Sequence, residues 1–229
     1  MRASTLDKLL DARNARTPVA LISDLADGEQ RLVSRHEAAR DELADALQKG
    51  FRFDESRVVK VGEREYFINI QNPPLKLVLI GAVHIAQTLI PMARALGYDI
   101  FLIDPRGAFA SGERFPDVKM AVEWPDEVLP NIGLDARTAI ALLTHDPKID
   151  DQALLAALAS ECFYIGALGS QRTHAKRIER LVAKGFSERD LHRIHAPIGL
   201  EIGARGAAEI AVAIMAEITK TLRLGMDVT

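Results

Sequence analysis

The spacing of hydrophobic and polar positions changes at an Asn-Pro-Pro break over residues 72–74. Before the break, alternating segments flank turn residues: "PVALISDL" and "EQRLVS" flank Asp27-Gly28, and "SRVVKV" and "EREYFINI" flank Gly62. This alternation predicts two β-hairpins, because Asp-Gly supplies the positive φ of a tight turn. Between them, helical spacing predicts a helix over residues 35–49 that Gly50 ends. We therefore expect residues 1–72 to form a small α+β subdomain.

Beyond the break, nearly continuous apolar runs alternate with helical patterns. The runs are "LKLVLI", "YDIFLID", "TAIALLTH" and "CFYIGAL". Such alternation is typical of βαβ units, whose right-handed crossovers build an open sheet with helices on both faces. Residues 73–229 are thus predicted to be an α/β domain with a Rossmann-like, doubly wound parallel sheet. The final helical pattern, "RGAAEIAVAIMAEITKTLR", is apolar on more than one side, which favours burial in the core or a homodimer.

Composition excludes several classes of protein. The chain has 229 residues, 48% of them apolar and 27% charged, as in an ordinary soluble domain. A net charge of -3 gives no reason to expect a nucleic-acid partner. No apolar run approaches the roughly 20 residues that span a bilayer, and the N-terminus lacks the apolar core of a secretory signal, so we expect a cytoplasmic protein. A single cysteine, Cys162, excludes an internal disulfide and a cysteine-cluster metal site.

The turn "GAVHIA" resembles the glycine fingerprint of dinucleotide-binding folds with one departure. Gly81 suits the tight turn, and the following helix N-terminus favours an anion. Val83 stands where a second glycine lets the backbone approach a pyrophosphate. His84, in the first helical turn, is a candidate contact to a phosphate or a heterocycle. A turn that holds no ligand remains the alternative.

Two further groups follow predicted strands. Asp104 lies where an acid commonly accepts a hydrogen bond from a ribose hydroxyl, and Arg106 could bind a phosphate. Asp104 as a simple strand-end residue is the alternative. His145 and Asp146 lie at the carboxyl end of the next strand, where ligands of open α/β sheets bind. They suit acid–base chemistry or metal binding, but no third metal ligand stands at a recognisable spacing.

The segment "YIGALGSQRTHAKR" carries the strongest site signal. Residues Gly169, Ser170, Arg172 and Thr173 place a glycine, two hydroxyls and a guanidinium at a helix start, a favourable arrangement for an oxyanion. Lys176 and Arg180 extend the basic stripe and are interpreted as a solvated face. Asp150 or Asp151 is interpreted as the cap of the preceding helix.

Six segments together resemble the XdhC/CoxI family, the accessory factors of xanthine dehydrogenase and carbon monoxide dehydrogenase. They are "LVLIGAVHIAQ", "YDIFLIDPR", "ERFPDV", "LTHDPKIDD", "YIGALGSQRTHAKR" and "RIHAPIGLEIGARGAAEIAVAIMAEI", within roughly residues 72–222. The resemblance implies a Rossmann-type domain that binds molybdenum cofactor (molybdopterin), protects its sulfurated form and delivers it to a xanthine dehydrogenase-type molybdenum hydroxylase. It also implies a cysteine desulfurase as the sulfur source.

The sequence departs from the family in its first 72 residues, which resemble a reduced N-terminal domain. The Gly-Ser-x-Pro and Gly-Gly-Cys segments of full-length members are missing. The final helix begins Arg205-Gly206, where the family commonly has Thr-Pro before its glutamate.

Three functions remain open. A non-catalytic cofactor chaperone fits the lack of a nucleophile, base and orienting group. An NAD(P)-dependent oxidoreductase is supported by Gly81 and Asp104 and opposed by Val83. A regulatory module that senses a nucleotide is the third. For the chaperone, a turn narrowed by Val83 could exclude a dinucleotide yet leave room for the single phosphate of the pterin.

Overall fold

The computed structural model describes residues 2–225, which divide between Pro73 and Pro74 into two compact units. The first unit holds a four-stranded antiparallel sheet of order β2-β1-β4-β3. Its elements are α1 (Ala3–Asn14), β1 (Val19–Asp24), β2 (Gln30–Ser34), α2 (Ala44–Phe53), β3 (Arg57–Val61) and β4 (Arg64–Gln71). The two predicted hairpins are both present, because their turns fall at Asp27-Gly28 and Gly62.

The helix of the first unit differs from the prediction. A short 3-10 turn, Ala38–Arg40, precedes α2, and Gly50 lies inside α2. A Cβ on Gly50 would lie 2.8 Å from Ile70 Cδ1, so the glycine admits the packing of β4 against the helix. Asp54, with a φ of 57°, takes the left-handed conformation that ends α2.

The second unit is the doubly wound sheet that the sequence predicts. Six parallel strands take the order β10-β9-β8-β5-β6-β7. The strands are β5 (Leu75–Ile80), β6 (Tyr98–Ile103), β7 (Lys119–Ala121), β8 (Thr138–Leu142), β9 (Tyr164–Ala167) and β10 (Ile194–His195). The helices are α3 (His84–Ala95), α4 (Pro125–Ile132), α5 (Pro147–Leu158), α6 (Gln171–Val182), α7 (Glu188–Leu191) and α8 (Ala207–Leu224).

Two apolar clusters sandwich this sheet. Leu77 and Leu79 of β5 pack with α3 and α8, and Val78 and Ile80 face the cluster that includes α5. All six residues of β5 are buried, as expected for a central parallel strand covered on both faces. Among residues 2–225, no helix is both long and apolar enough to cross a membrane.

Candidate functional site at the carboxyl edge of the parallel sheet

The strand order places a crevice between β5 and β8. The chain runs outward from β5 through β6 on one side and through β8 on the other, so the connections diverge at this point. Ligands of open α/β sheets bind at such a switch point, beyond the carboxyl ends of the strands. The loops that follow β5, β8 and β9 contain most of the predicted site residues.

The turn after β5 is held tightly against the end of β8. Gly81 has a φ of 115°, a conformation that favours glycine. A Cβ at this position would lie 2.7 Å from Thr144 Cγ2, so the contact also requires the absence of a side chain. Val83 is half-buried against the core cluster, and His84 is exposed at the first position of α3.

Asp104 anchors the turn from the neighbouring strand. Its carboxylate is fully buried and accepts from Ala82 N at 2.8 Å and from Arg106 N at 3.0 Å. Arg106 also donates from Nε and Nη2, each at 2.8 Å. Burial alone would raise the pKa of Asp104, but the hydrogen bonds from Arg106 and Ala82 outweigh burial and lower it. Both oxygens therefore already accept bonds from the protein, and the ribose contact stays a prediction.

Arg106 and a second arginine frame the turn. The Arg106 guanidinium lies 4.6 Å from the ring centroid of Phe109. Its pKa is raised chiefly by the hydrogen bonds to Asp104, with weaker attraction from Asp146 and Asp150. Arg114 donates from Nη1 to Ala82 O at 2.9 Å and to Phe109 O, so it holds the turn from outside the helix. Arg114 lies in the "ERFPDV" segment, but its contact partner could not be read from the sequence.

The loop after β8 places its two predicted residues differently. His145 is exposed and has a φ of 63°. Asp146 is the N-cap of α5, where its side chain accepts from Lys148 N at 2.9 Å. The prediction that Asp150 or Asp151 caps this helix is wrong, because the helix begins at Pro147, a residue favoured in the first helical position.

The start of α6 forms the predicted cap. Ser170 is the N-cap, its Oγ accepts from Thr173 N at 3.3 Å, and the two hydroxyl oxygens lie 3.1 Å apart. Gly169 has a φ of 136°, and a Cβ there would lie 3.1 Å from Thr173 Cγ2. The turn geometry therefore depends on a glycine before the cap.

A cavity of about 230 Å³ lies between the starts of α5 and α6. Its lining is strongly basic and consists of His145, Pro147, Asp150, Arg172, Thr173, Lys176, Arg177 and Arg180. The structure thus brings His145, Arg172 and Thr173 together, as predicted site residues, and adds Lys176 and Arg180 from the stripe interpreted as solvated. Arg180 donates to both carboxylate oxygens of Asp151, at 2.6 and 2.8 Å.

Arg177 is the site residue that sequence reasoning missed. Its side chain is 2% exposed, and burial lowers its pKa. Its Nη2 donates to Leu168 O at 3.0 Å and lies 3.7 Å from Asp150 Oδ2. Asp150 is also 2% exposed, burial raises its pKa, and it accepts a hydrogen bond from the Thr144 hydroxyl. Contacts therefore run from Gly81 through Thr144 and Asp150 to Arg177.

A second polar cluster lies at the end of β9. Glu217 of α8 accepts from the Tyr164 hydroxyl at 2.6 Å and from Gly199 N at 2.8 Å. His195 Nδ1 lies 3.3 Å from the same carboxylate, and its ring stacks on Tyr164 with centroids 4.7 Å apart. Burial alone would raise the pKa of Glu217, but the hydrogen bonds of this cluster lower it. The cluster joins α8 to the strand edge and was not anticipated from the sequence.

Comparison with known proteins identifies relatives of this region. The profile of the XdhC Rossmann domain matches residues 77–218, more than half of the chain. The Escherichia coli protein named molybdenum cofactor insertion chaperone PaoD is 33% identical over 146 residues, covering 64% of this chain and 40% of that protein. A Bacillus subtilis protein, named as one of the probable subunits of xanthine dehydrogenase, is 30% identical over 156 residues, covering 68% of this chain and 45% of that protein. The chain thus spans less than half the length of either relative.

A solved structure supports the fold. The crystal structure of a Bacillus halodurans protein described as a xanthine dehydrogenase matches with a TM-score of 0.65 at 22% identity. The match covers 99% of this chain and 66% of that one.

Proposed function

Because the chain belongs to the XdhC Rossmann-domain family, we propose that it is an accessory protein that binds molybdenum cofactor and assists its insertion into a xanthine dehydrogenase-type molybdenum hydroxylase. The observation that carries the proposal is the basic cavity at the switch point of the sheet, within the region shared with a relative named as a molybdenum cofactor insertion chaperone. A carrier needs a shaped site rich in donors, which this edge supplies.

The residues at this edge fit the phosphate end of such a cofactor. Guanidinium, ammonium and hydroxyl donors converge on one cavity, and phosphate is the group these donors recognise best. We assign the ligand contacts to the residues predicted from the sequence. They are Gly81, His84, Asp104, Arg106, His145, Asp146, Gly169, Ser170, Arg172 and Thr173. When bound, the cofactor itself supplies the dithiolene that holds molybdenum, so this chain needs to contribute no metal ligand.

The buried thiol of the chain bears on how sulfur is handled. Cys162 is 5% exposed, and burial raises its pKa, so its reactive thiolate form is disfavoured. The chain contains no other cysteine. We therefore assign sulfuration of the bound cofactor to a partner cysteine desulfurase that acts directly on the cofactor. Replacing Cys162 with alanine should leave sulfuration by the desulfurase unchanged, and a loss of sulfuration would contradict this assignment.

An apolar groove between α3 and α8 supports a homodimer. It is lined by Met92, Leu96, Val212, Met215, Ala216, Thr219, Lys220, Arg223 and Leu224. Leu96, Val212 and Leu224 are each about half exposed, at 52, 47 and 63%. Light scattering at micromolar concentration should give twice the mass of the chain, and Val212→Glu should give the monomer. A monomeric mass for the unaltered chain would contradict the dimer.

A nicotinamide-dependent oxidoreductase is less well supported by this geometry. In that alternative, Asp104 accepts from a ribose hydroxyl, but both of its oxygens already accept bonds from Ala82 and Arg106. Thermal shifts with molybdenum cofactor, NADP, NAD and AMP separate the functions, because a ligand that prefers the folded state raises the melting temperature. The chaperone proposal predicts the largest rise with molybdenum cofactor, and a rise with NADP alone would refute it.

Loss of Arg172 tests the contact set directly. Arg172 is exposed, so Arg172→Ala should fold normally yet retain less cofactor on a desalting column than the unaltered chain. Arg189→Ala, an exposed arginine on α7, is the matched control and should retain cofactor fully. Equal retention by both variants would exclude Arg172 from the contact set.

A further inference from the structure

The guanidinium of Arg177 is buried with most of its hydrogen-bonding capacity unused. A guanidinium carries five N–H donors. Within residues 2–225, neither Nε nor Nη1 of Arg177 has a hydrogen-bond partner, and both atoms are buried. Unsatisfied buried donors are rare and are each unfavourable by about 1–3 kcal/mol. Because Arg177 lines the basic cavity, a ligand in that cavity can reach these donors.

The charge around Arg177 is not balanced by the protein. Asp150 is the carboxylate nearest to it, at 3.7 Å, and its second oxygen accepts from Thr144. Arg180 is already paired with Asp151. Across the described part of the chain, Lys176 and Arg172 have no carboxylate within ion-pair distance. The cavity therefore holds an excess of positive charge that favours an anion.

The size of the cavity restricts that anion. A volume of about 230 Å³ is smaller than the roughly 300–1,000 Å³ of pockets that enclose drug-sized ligands. It suits a phosphate group that enters end-on while the rest of the molecule stays outside. Thr173 and the first N–H groups of α6 add neutral donors beside the charged ones.

From these contacts we propose that the cavity is a phosphate-monoester subsite in which Arg177, rather than the exposed Arg172, is the principal charge that seats the phosphate. The subsite takes the terminal phosphate of the cofactor and in this respect rests on the proposed function. Arg177 donates through Nε and Nη1, Lys176 and Arg172 close the outer rim, and Asp150 keeps the guanidinium oriented from behind.

The first test is calorimetric titration of the full chain with inorganic phosphate at low ionic strength, with chloride at matched ionic strength as the reference. We expect phosphate to bind and Arg177→Gln to weaken binding at least tenfold. Arg189→Gln, which removes an exposed arginine distant in sequence from the cavity lining, should bind phosphate like the unaltered chain. Equal affinity of Arg177→Gln and Arg189→Gln, or no phosphate binding by the unaltered chain, would overturn the proposal.

A folding defect of Arg177→Gln would not remove the test. Removing one partner of a buried pair leaves an uncompensated charge, so the double variant Asp150→Asn/Arg177→Gln, which neutralises both, serves as the second variant. A crystal structure of the unaltered chain grown with phosphate needs no variant. Phosphate within hydrogen-bonding distance of Arg177 Nε or Nη1 supports the subsite, and water alone at these atoms refutes it.

Competition separates this inference from the proposed function. If the subsite takes the phosphate of the cofactor, saturating inorganic phosphate should weaken cofactor binding in the unaltered chain. Cofactor binding that is unaffected by phosphate and by Arg177→Gln would refute the subsite while leaving the accessory function intact. Phosphate binding that depends on Arg177, without any binding of the cofactor, would instead refute the proposed function.

Discussion

Replacing Asp104 with asparagine removes the anchor of the turn after β5 while changing the side-chain volume very little. Asparagine keeps one acceptor oxygen and places an NH₂ group where the second oxygen stood. Each oxygen of Asp104 accepts two bonds: Oδ2 from Ala82 N and Arg106 Nη2, and Oδ1 from Arg106 N and Nε. In either amide orientation, the NH₂ group therefore faces two donors.

The expected loss follows from these contacts. A hydrogen bond to a charged group contributes about 1.5–3 kcal/mol, and an unsatisfied buried donor costs about 1–3 kcal/mol. The Arg106 side chain is 33% exposed and regains water, which reduces the loss on that side. We expect a fall of roughly 2–4 kcal/mol in the free energy of unfolding of the second unit. With a urea m-value of about 2 kcal/mol/M, the midpoint should fall by roughly 1–2 M.

Tryptophan fluorescence provides the assay, because Trp124 is the single tryptophan of the chain and lies in the second unit. Asp99→Asn, an exposed aspartate on β6, is the matched control and should shift stability by less than about 0.5 kcal/mol. A depressed folded-state pKa stabilises above the unfolded pKa, so the Asp104 contribution is lost as pH falls below about 3.9. The difference between Asp104→Asn and the unaltered chain should therefore shrink below that pH. Equal urea midpoints for the two asparagine variants at pH 7 would refute the anchor.

Two further substitutions test the packing and the second polar cluster with the same assay. Gly81→Ala should destabilise more than Gly97→Ala by about 1–3 kcal/mol, because both glycines have positive φ but only at Gly81 would the Cβ meet Thr144; equal losses would disprove the close contact. Glu217→Gln should cost about 1–3 kcal/mol at pH 7. Because the pKa of Glu217 is lowered, its contribution is present above the usual glutamate value of about 4.3 and is lost below it, so a difference that stays constant down to pH 3 would contradict the assignment.

The sheet could be predicted from the sequence because its signals are local. Each buried strand is an apolar run, and the helices between them repeat at helical spacing, so type and order follow from short windows. The start of α5 was predicted too late, although Asp146-Pro147 carries a local signal of an N-cap and first helical turn. Gly50 was misread for a different reason. Its role depends on Ile70, a contact between elements that no local pattern reveals.

The predicted site residues were correctly placed near strand ends, but their partners were not predictable. The spacing of Asp104 from Gly81 is typical of an acid that contacts a ribose. In the fold the same carboxylate binds Ala82 and Arg106 instead. Spacing fixes where a side chain lies along the edge, whereas its hydrogen bonds depend on which donors the neighbouring loops bring to it.

Asp104 and Arg177 show how buried charge at one sheet edge can serve two purposes. Asp104 is surrounded by donors of the protein, so its burial is compensated and it stabilises the turn. Arg177 lies four residues before Leu181 on the buried face of α6, a position where an apolar side chain would be expected, and its Nε and Nη1 are uncompensated. A fold that keeps an unsatisfied cation loses stability in the free state. A ligand that satisfies it restores stability in proportion to the logarithm of its concentration relative to Kd, so the buried arginine links phosphate occupancy to the stability of the edge.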